Sequence, residues 1–246
     1  MEWKEWQPIY YDIVNRLNLD SEMDIQATQL LTDLLMNINP RPLLSYLEQK
    51  IHDRTVVICG AGPSLEQHVQ TLKEKPDYQD LVFVAADGAV SLLLEQNCPC
   101  DIIVTDLDGD YNHIEQATRK GALCVVHGHG DNIDKILDMV PNLGQVLGST
   151  QVEPTERVFL WGGFTDGDRA CYLVTEYSPK GIILAGMDFG RVVGKWSKPF
   201  HESHFIAPQM KLAKLEIAHE LITTLLDSID LPYTILDSRP GINVEE

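Results

Sequence analysis

Basic residues are scarce in this sequence, and the scarcity limits what the chain can bind. Its 246 residues include 19 lysines and arginines but 37 aspartates and glutamates, which gives a formal net charge of -18 at pH 7. Binding to the phosphate backbone of nucleic acids depends on clustered lysines and arginines that displace counterions. The sequence carries no such cluster, so we expect no nucleic-acid partner.

Long hydrophobic runs, a secretory signal and a disulfide framework are also missing. No segment approaches the roughly 18 uncharged apolar residues of a membrane helix, and residues 1–6 lack the basic-then-apolar start of a signal peptide. The cysteines number five, an odd count, and most lie in or beside apolar runs, as reduced thiols do. We therefore expect a cytoplasmic protein with no membrane partner.

The sequence alternates two kinds of segment beyond a helical start. Residues 1–52 have helical spacing and no glycine, which predicts an N-terminal helical region. The rest, residues 53–246, predicts an α/β catalytic domain, because short apolar runs alternate there with amphipathic helical stretches. We expect a Rossmann-like fold with a mostly parallel open sheet and helices on both faces. The predicted strands are residues 55–59, 81–86, 102–105, 123–126, 145–147, 158–160, 182–185 and 233–236.

Glycine, aspartate, histidine and threonine follow six of these strands. Ligands of open α/β sheets bind beyond the carboxyl ends of the strands, so these residues define one candidate site. Asp106 and Asp108 alternate along an extended segment and can reach one hard cation, which predicts a metal site. Asp110, just before the next helix, is better interpreted as its N-cap.

The segment from His127 to Asn132 follows another strand and contains two histidines and Asp131. A zinc site is disfavoured, because no further His or Cys completes a tetrahedron. We expect Asp131 to join the magnesium ligands. For His129 a catalytic role and the role of a hydrogen-bonded loop histidine both remain open.

Three further segments could hold phosphates or substrate. Gly60 and Gly62, followed by Pro63 and Ser64, could bring backbone N–H groups to a phosphate, or form only a tight turn, with Ser64 capping the helix or donating to an oxygen. The basic loop around Lys195 could reach nucleotide phosphates, or be a solvated surface loop. The segment that opens the helix after residue 160 could cap that helix or contact substrate; its members are Thr165, Asp166, Asp168 and Arg169.

In these motifs the sequence resembles the archaeal 6-hydroxymethyl-7,8-dihydropterin pyrophosphokinases, which are distant relatives of thiamin pyrophosphokinase. The resemblance covers about residues 57–215. It lies in seven segments in order, at residues 60–65, 86–89, 105–109, 127–132, 163–170, 184–190 and 194–198. The echo of the thiamin enzyme is confined to Ala86-Asp87-Gly88 and to the acidic residues from Asp101 to Asp108.

The resemblance implies transfer of pyrophosphate from ATP to the pterin hydroxymethyl oxygen, with Mg²⁺ as cofactor and AMP as product. It implies Asp106, Asp108 and Asp131 as magnesium ligands with Asp87 beside them. Residues 60–64 and Lys195 would hold the nucleotide phosphates, and Asp166 and Asp168 are candidates for contacting the pterin. Relatives of this type often form homodimers.

Two other functions fit parts of the pattern. A glycosyltransferase would use the strand-end glycines and aspartates for a sugar nucleotide, but the long additional domain that accompanies related domains is missing from this chain. A thiamin-type pyrophosphokinase differs in the acceptor alone, and a non-catalytic nucleotide sensor would bind ATP without forming AMP.

Overall fold

The apolar runs form one parallel sheet in the computed structural model, which describes residues 1–199 and 201–237. The strands are β1 (Thr55–Cys59), β2 (Val82–Ala86), β3 (Ile102–Thr105), β4 (Leu123–Gly128), β5 (Val146–Thr150), β6 (Val158–Phe159), β7 (Gly181–Ala185), β8 (Val192–Val193), β9 (Phe205–Ile206) and β10 (Tyr233–Ile235). Eight of them pair in the order β10-β7-β1-β2-β3-β4-β5-β6, and each of these pairings is parallel.

Helices cover both faces of the sheet. They are α1 (Trp3–Leu17), α2 (Ser21–Leu34), α3 (Arg41–Ile51), α4 (Leu65–Lys73), α5 (Ala89–Glu95), α6 (Tyr111–Arg119), α7 (Ile133–Met139), α8 (Asp166–Glu176) and α9 (Gln209–Ser228). Successive strand residues point to opposite faces: Val56 and Ile58 pack with α1, α3, α8 and α9, whereas Val57 and Cys59 pack with α2, α4, α5, α6 and α7. Each such fully buried Val or Ile stabilises the fold by about 1.5–3 kcal/mol.

The N-terminal helices share these two cores. Trp6 and Ile13 of α1 belong to one core, and Ala27 and Leu31 of α2 belong to the other. The chain between α1 and α2 therefore passes around an edge of the sheet, at residues 18–20. This path brings the start of α2 to the carboxyl ends of the strands.

The predicted Rossmann-like α/β fold is confirmed, and so is the N-cap role of Asp110, whose side chain accepts from the N–H groups of Asn112 and His113. The antiparallel pair β8–β9 was not predicted, because two-residue strands leave no recognisable pattern. The prediction for residues 238–246 and for Phe200 of the basic loop lies outside the described residues. All five cysteines are free thiols. Among the described helices, none has the length and apolar character to cross a membrane.

Candidate active site

A cavity of about 360 Å³ opens at the carboxyl ends of the strands. The strand order reverses beside β1, since β2 to β6 follow on one side of it and β7 and β10 lie on the other. Such a reversal creates the crevice in which open α/β sheets bind their ligands. The cavity is lined by residues that follow β1, β2, β3, β4, β5 and β7, by the start of α2, by residues 164–167, by Arg169 and by α9.

Three carboxylates converge in this cavity. Asp87 follows β2, Asp106 follows β3 and Asp166 begins α8, and each can offer one oxygen atom so that the three atoms lie within 4.8 Å of one another. Asp87 is held in place by two donors to its Oδ1: the hydroxyl of Thr105 at 2.6 Å and the N–H of Gly109 at 2.9 Å. A trio of hard oxygen donors is the kind of ligand set that Mg²⁺ takes.

The electrostatics of this carboxylate cluster (Asp87, Asp106 and Asp166) are those of an incompletely neutralised site. Burial, followed by the charge of Asp106, raises the pKa of Asp87 to about 7. Burial, with the charges of Asp106 and Asp87, also raises the pKa of Asp166 well above its usual value. Burial alone would raise the pKa of Asp106 too, but the hydrogen bond and charge of His129, together with the charges of Arg169 and Lys198, hold that pKa below its usual range. A bound cation would relieve the repulsion.

Two of the predicted magnesium ligands line the same cavity without joining this cluster. The carboxylate of Asp108 is paired with the ammonium groups of Lys135 and Lys198, which neutralise it. The side chain of Asp131 is 83% exposed. Within the described residues, Asp108 and Asp131 therefore fall outside the cluster, and Asp106 is the member that the predicted and observed sets share.

His129 lies against the cluster with both ring nitrogens occupied. Its Nδ1 accepts the N–H of Asp131 at 3.2 Å, so in the neutral ring the proton resides on Nε2, 3.4 Å from Oδ2 of Asp106. Both contacts make His129 a residue that orients Asp106. This arrangement offers no unoccupied nitrogen for accepting a substrate proton.

The backbone of the glycine-rich turn after β1 lines the cavity, but its donors are already used. The N–H groups of Gly60 and Gly62 donate to the carbonyls of Ala185 and Gly186, at 2.8 and 3.0 Å. The N–H of Ser64 donates to Asp188 at 3.1 Å. These bonds speak against the predicted role of the Gly60 and Gly62 N–H groups as phosphate donors. The second glycine is needed because a Cβ there would overlap the Gly186 carbonyl and the Asp188 carboxylate.

Pro63 and Ser64 are absent from the residues that line the cavity. The hydroxyl of Ser64 lies 3.3 Å from Nδ1 of His68, and it makes no capping hydrogen bond at the start of α4. The expectation that Ser64 caps this helix is therefore wrong. The reason is local: its backbone is helical rather than extended, so its side chain turns along the helix.

The basic loop reaches the cavity through a different lysine from the predicted one. A Cβ at Gly194 would overlap the carbonyl of Ala61, and one at Gly88 would overlap the carbonyl of Trp196, so the loop backbone lies directly on the turns after β1 and β2. Nζ of Lys195 rests 4.6 Å from the ring centroid of Trp196, and Lys195 does not line the cavity. Lys198 does line it, paired with Asp108.

Two further lysines enter the cavity from α9. Lys211 and Lys214 are half-buried and line the cavity, and the charge of Lys211 acts on Asp166. Nζ of Lys214 lies 5.9 Å from the ring centroid of Phe164. Neither lysine forms an ion pair with any residue that the structure describes. Their charges are therefore available to an anionic ligand.

The segment that opens α8 divides between structure and site. Asp168 is fully buried and accepts from the N–H groups of Phe164 and Thr165 and from the Thr165 hydroxyl, which forms a capping box. Asp168 does not line the cavity. It therefore holds the turn at residues 164–165 in place, and it is not positioned for the expected contact with substrate. Thr165, Asp166 and Arg169 do line the cavity, and Nη1 of Arg169 lies 3.6 Å from Oδ1 of Asp166.

Three residues that the sequence analysis gave no role support this arrangement. Asn132 donates from Nδ2 to the carbonyls of Asp106 and His127, at 2.8 and 2.7 Å, and so ties the ends of β3 and β4 together. Gln151 follows β5, but the predicted strand ended three residues early and concealed its position. Asp24 lies in the first turn of α2, where an acidic residue ordinarily interacts with the helix dipole, so its sequence position gave no sign of another role.

Comparisons with known proteins point to one family. A model of the family described as "6-hydroxymethylpterin diphosphokinase MptE-like" matches residues 29–194. A relative from Pyrococcus furiosus is 44% identical, over 92% of this chain and 94% of its own length. One from Methanocaldococcus jannaschii is 41% identical, over 95% and 99%, and one from Methanothermobacter thermautotrophicus is 36% identical, over 92% and 95%. Each bears the name 6-hydroxymethyl-7,8-dihydropterin pyrophosphokinase.

Among solved structures, a MAf glycosyltransferase from Magnetospirillum magneticum aligns with a TM-score of 0.49 and 13% identity, over 80% of this chain and 38% of that one.

Proposed function

Because the chain belongs to the MptE-like family of 6-hydroxymethylpterin diphosphokinases, we propose that it transfers pyrophosphate from ATP to 6-hydroxymethyl-7,8-dihydropterin and releases AMP. The observation that carries the proposal is the meeting of the carboxylate cluster with two unpaired lysines in one cavity. Transfer of phosphoryl groups needs chiefly positioning and neutralisation of charge, which these groups can supply together.

The carboxylate cluster would hold Mg²⁺. Its fit to the ion rests on three hard oxygen donors and on Oδ1 of Asp166, a buried atom that has no hydrogen-bond partner among the residues that the structure describes. A cation bound there would neutralise charge on the triphosphate and polarise its oxygens. His129 and Asn132 keep Asp106 in place, and Thr105 and Gly109 keep Asp87 in place.

The lysines of α9 would bind the triphosphate. Lys211 and Lys214 lie one turn apart on α9 and face the cavity, so both can contact phosphate oxygens. Lys198 contributes a third positive charge at the same edge, although its ammonium group is already paired with Asp108. The positive charge required by an anionic substrate is thus local, in a protein whose net charge is -18.

In the proposed reaction the hydroxymethyl oxygen of the pterin attacks the β-phosphorus of ATP. A bond forms between these atoms, the bond from the β-phosphorus to the oxygen that bridges it to the α-phosphorus breaks, and AMP leaves with that oxygen. The hydroxyl proton passes to water or to a cavity carboxylate. Phe164 offers an apolar ring beside the lysines, and Thr165 a hydroxyl, on the wall where the acceptor would lie.

The free cysteines fit a reducing compartment, and on that basis we propose a cytoplasmic location. The homodimer suggested by the resemblance stays a prediction.

The proposal is tested by following AMP after incubating the protein with ATP, Mg²⁺ and one acceptor at a time. We expect AMP with 6-hydroxymethyl-7,8-dihydropterin, none without an acceptor, and none after chelation of the metal. If AMP forms with thiamin and not with the pterin, the acceptor is thiamin and the proposed acceptor is wrong. Nucleotide binding without AMP from any acceptor would overturn the proposed reaction, and sugar nucleotides would be the next ligands to test.

A further inference from the structure

We propose that Asp24, on the N-terminal helix α2, is a positioning residue for the carboxylate cluster. Two chains of hydrogen bonds lead from its carboxylate, one to Asp166 and one to Asp106. The inference rests on the proposed function, because it concerns the cation-binding carboxylates of the same cavity. It assigns the N-terminal helices a part in catalysis.

Asp24 is buried, with 4% of its surface exposed, and it is fully engaged. Its Oδ2 accepts from the Tyr10 hydroxyl at 2.7 Å and from Nε2 of Gln151 at 2.8 Å. Its Oδ1 accepts from the N–H of Gly130 at 2.8 Å. The first bond joins α2 to α1, whereas the other two reach the turns after β4 and β5, which carry His129 and Gln151.

The first chain sets the orientation of Gln151. A carboxylate can only accept, so Asp24 forces the amide nitrogen of Gln151 towards itself and the amide oxygen away. That oxygen then accepts from Nη2 of Arg169 at 2.9 Å. Nη1 of the same guanidinium lies 3.6 Å from Oδ1 of Asp166. The orientation of the Gln151 amide therefore fixes the position of the Arg169 guanidinium, which faces Asp166.

The second chain sets the turn that carries His129. Asp24 holds the N–H of Gly130, and α2 lies so close to this turn that a Cβ at Gly130 would come within 2.6 Å of Cβ of Met23. The next N–H, of Asp131, donates to Nδ1 of His129, whose Nε2 faces Asp106. Movement of α2 would therefore be transmitted through His129 to Asp106.

The decisive perturbation is Asp24→Asn, which keeps the shape but allows only one acceptor atom. That atom cannot serve Gly130 and Gln151 at once, so one chain must break. We measure binding of Mn²⁺, a probe that takes the same oxygen ligands as Mg²⁺, by calorimetry. The expected result is an affinity about 10-fold lower, as for loss of other outer-sphere partners of metal ligands.

A compensating variant separates positioning from packing. In the double substitution Asp24→Asn with Gln151→Glu, the amide at position 24 donates to the new carboxylate, which still accepts from Arg169. The amide oxygen at position 24 still accepts from Gly130. The double variant should bind Mn²⁺ as the wild type does. The matched control is Thr32→Val, two turns further along α2, which removes a hydrogen bond to Thr155 outside both chains and should leave Mn²⁺ affinity unchanged.

Circular dichroism shows which variants fold. Weakened Mn²⁺ binding in Asp24→Asn with recovery in the double variant supports the proposal. Unchanged affinity in Asp24→Asn, or no recovery in the double variant, overturns it while the proposed function stands. If Asp24→Asn does not fold, the double variant alone decides in the same way. A wild type that binds no Mn²⁺ would refute the cation site itself, and the positioning role with it.

Discussion

Replacing Asp87 with asparagine should stabilise the metal-free protein at neutral and alkaline pH. Burial and the charge of Asp106 raise the pKa of Asp87 from 3.8 to about 7. Since a tenfold change in proton affinity corresponds to about 1.4 kcal/mol, ionising this carboxyl in the folded protein costs about 4 kcal/mol more than in the unfolded chain. Asparagine avoids this cost. It can still accept from Thr105 and Gly109, and it tolerates the left-handed backbone at this position (φ 42°).

The gain should depend on pH in a defined direction. Below pH 3.8 Asp87 is protonated in both states, and its burial as a neutral acid has no ionisation cost. Between pH 3.8 and about 7 the unfolded chain loses this proton while the folded protein keeps it, so the wild type loses stability relative to the variant as pH rises. Above about pH 7 the difference should be constant.

The assay is urea unfolding of wild type and Asp87→Asn with chelator present, at several pH values between 5 and 8.5 (roughly the range in which small domains stay folded). Asp131→Asn is the control, because its side chain is 83% exposed and its charge is solvated. Added Mg²⁺ should reverse the order by binding the wild type more tightly. A variant no more stable than the wild type at pH 8 without metal would refute the electrostatic reasoning.

Three further substitutions test the walls of the cavity. Lys211→Met and Lys214→Met should each raise the KM for ATP about 10-fold or more, with little change in the KM for pterin, because each removes a charge-assisted contact to phosphate. Lys73→Met, far from the cavity on α4, is the control. An unchanged KM for ATP would show that the α9 lysines do not bind the triphosphate. Gly88→Ala should lower kcat and leave the fold intact, because the added Cβ displaces the loop at Trp196; wild-type kcat would contradict this packing.

The sequence predicted the sheet because the signals of a parallel fold are local. The buried strands have continuous apolar runs, as in β1, and the turns after β1, β2, β3 and β7 begin with glycine or aspartate. The strand-end rule directs attention to the carboxyl edge, and the structure has a cavity there in which Asp87 and Asp106 meet. The weak β8–β9 pair has no such run and was not predicted.

The members of the carboxylate cluster could not be predicted in the same way, because the cluster depends on side chains from distant elements. Spacing along β3 groups Asp106 with Asp108, but Lys135 and Lys198 neutralise Asp108 in the fold. Asp166 is brought to Asp106 only by the path of α8 across the sheet. The lysines of α9 likewise look like the solvated face of a helix until the helix is docked.

Glycine was informative in a different sense from the one expected. Gly62 and Gly88 mark places where backbones of two loops touch, so they report packing between turns. In the sequence, a glycine that packs against another turn looks the same as a glycine whose N–H group binds a phosphate. The difference lies in the partner, which for Gly62 is the carbonyl of Gly186.

The measurement that tests the account most directly compares pterin-dependent AMP formation in the wild type, Asp166→Asn and Asp131→Asn. If the cation binds at Asp87, Asp106 and Asp166, the first variant should lose AMP formation to background and the exposed Asp131 should be dispensable. Activity retained in Asp166→Asn and lost in Asp131→Asn would contradict the account and restore the ligand set that the sequence predicted.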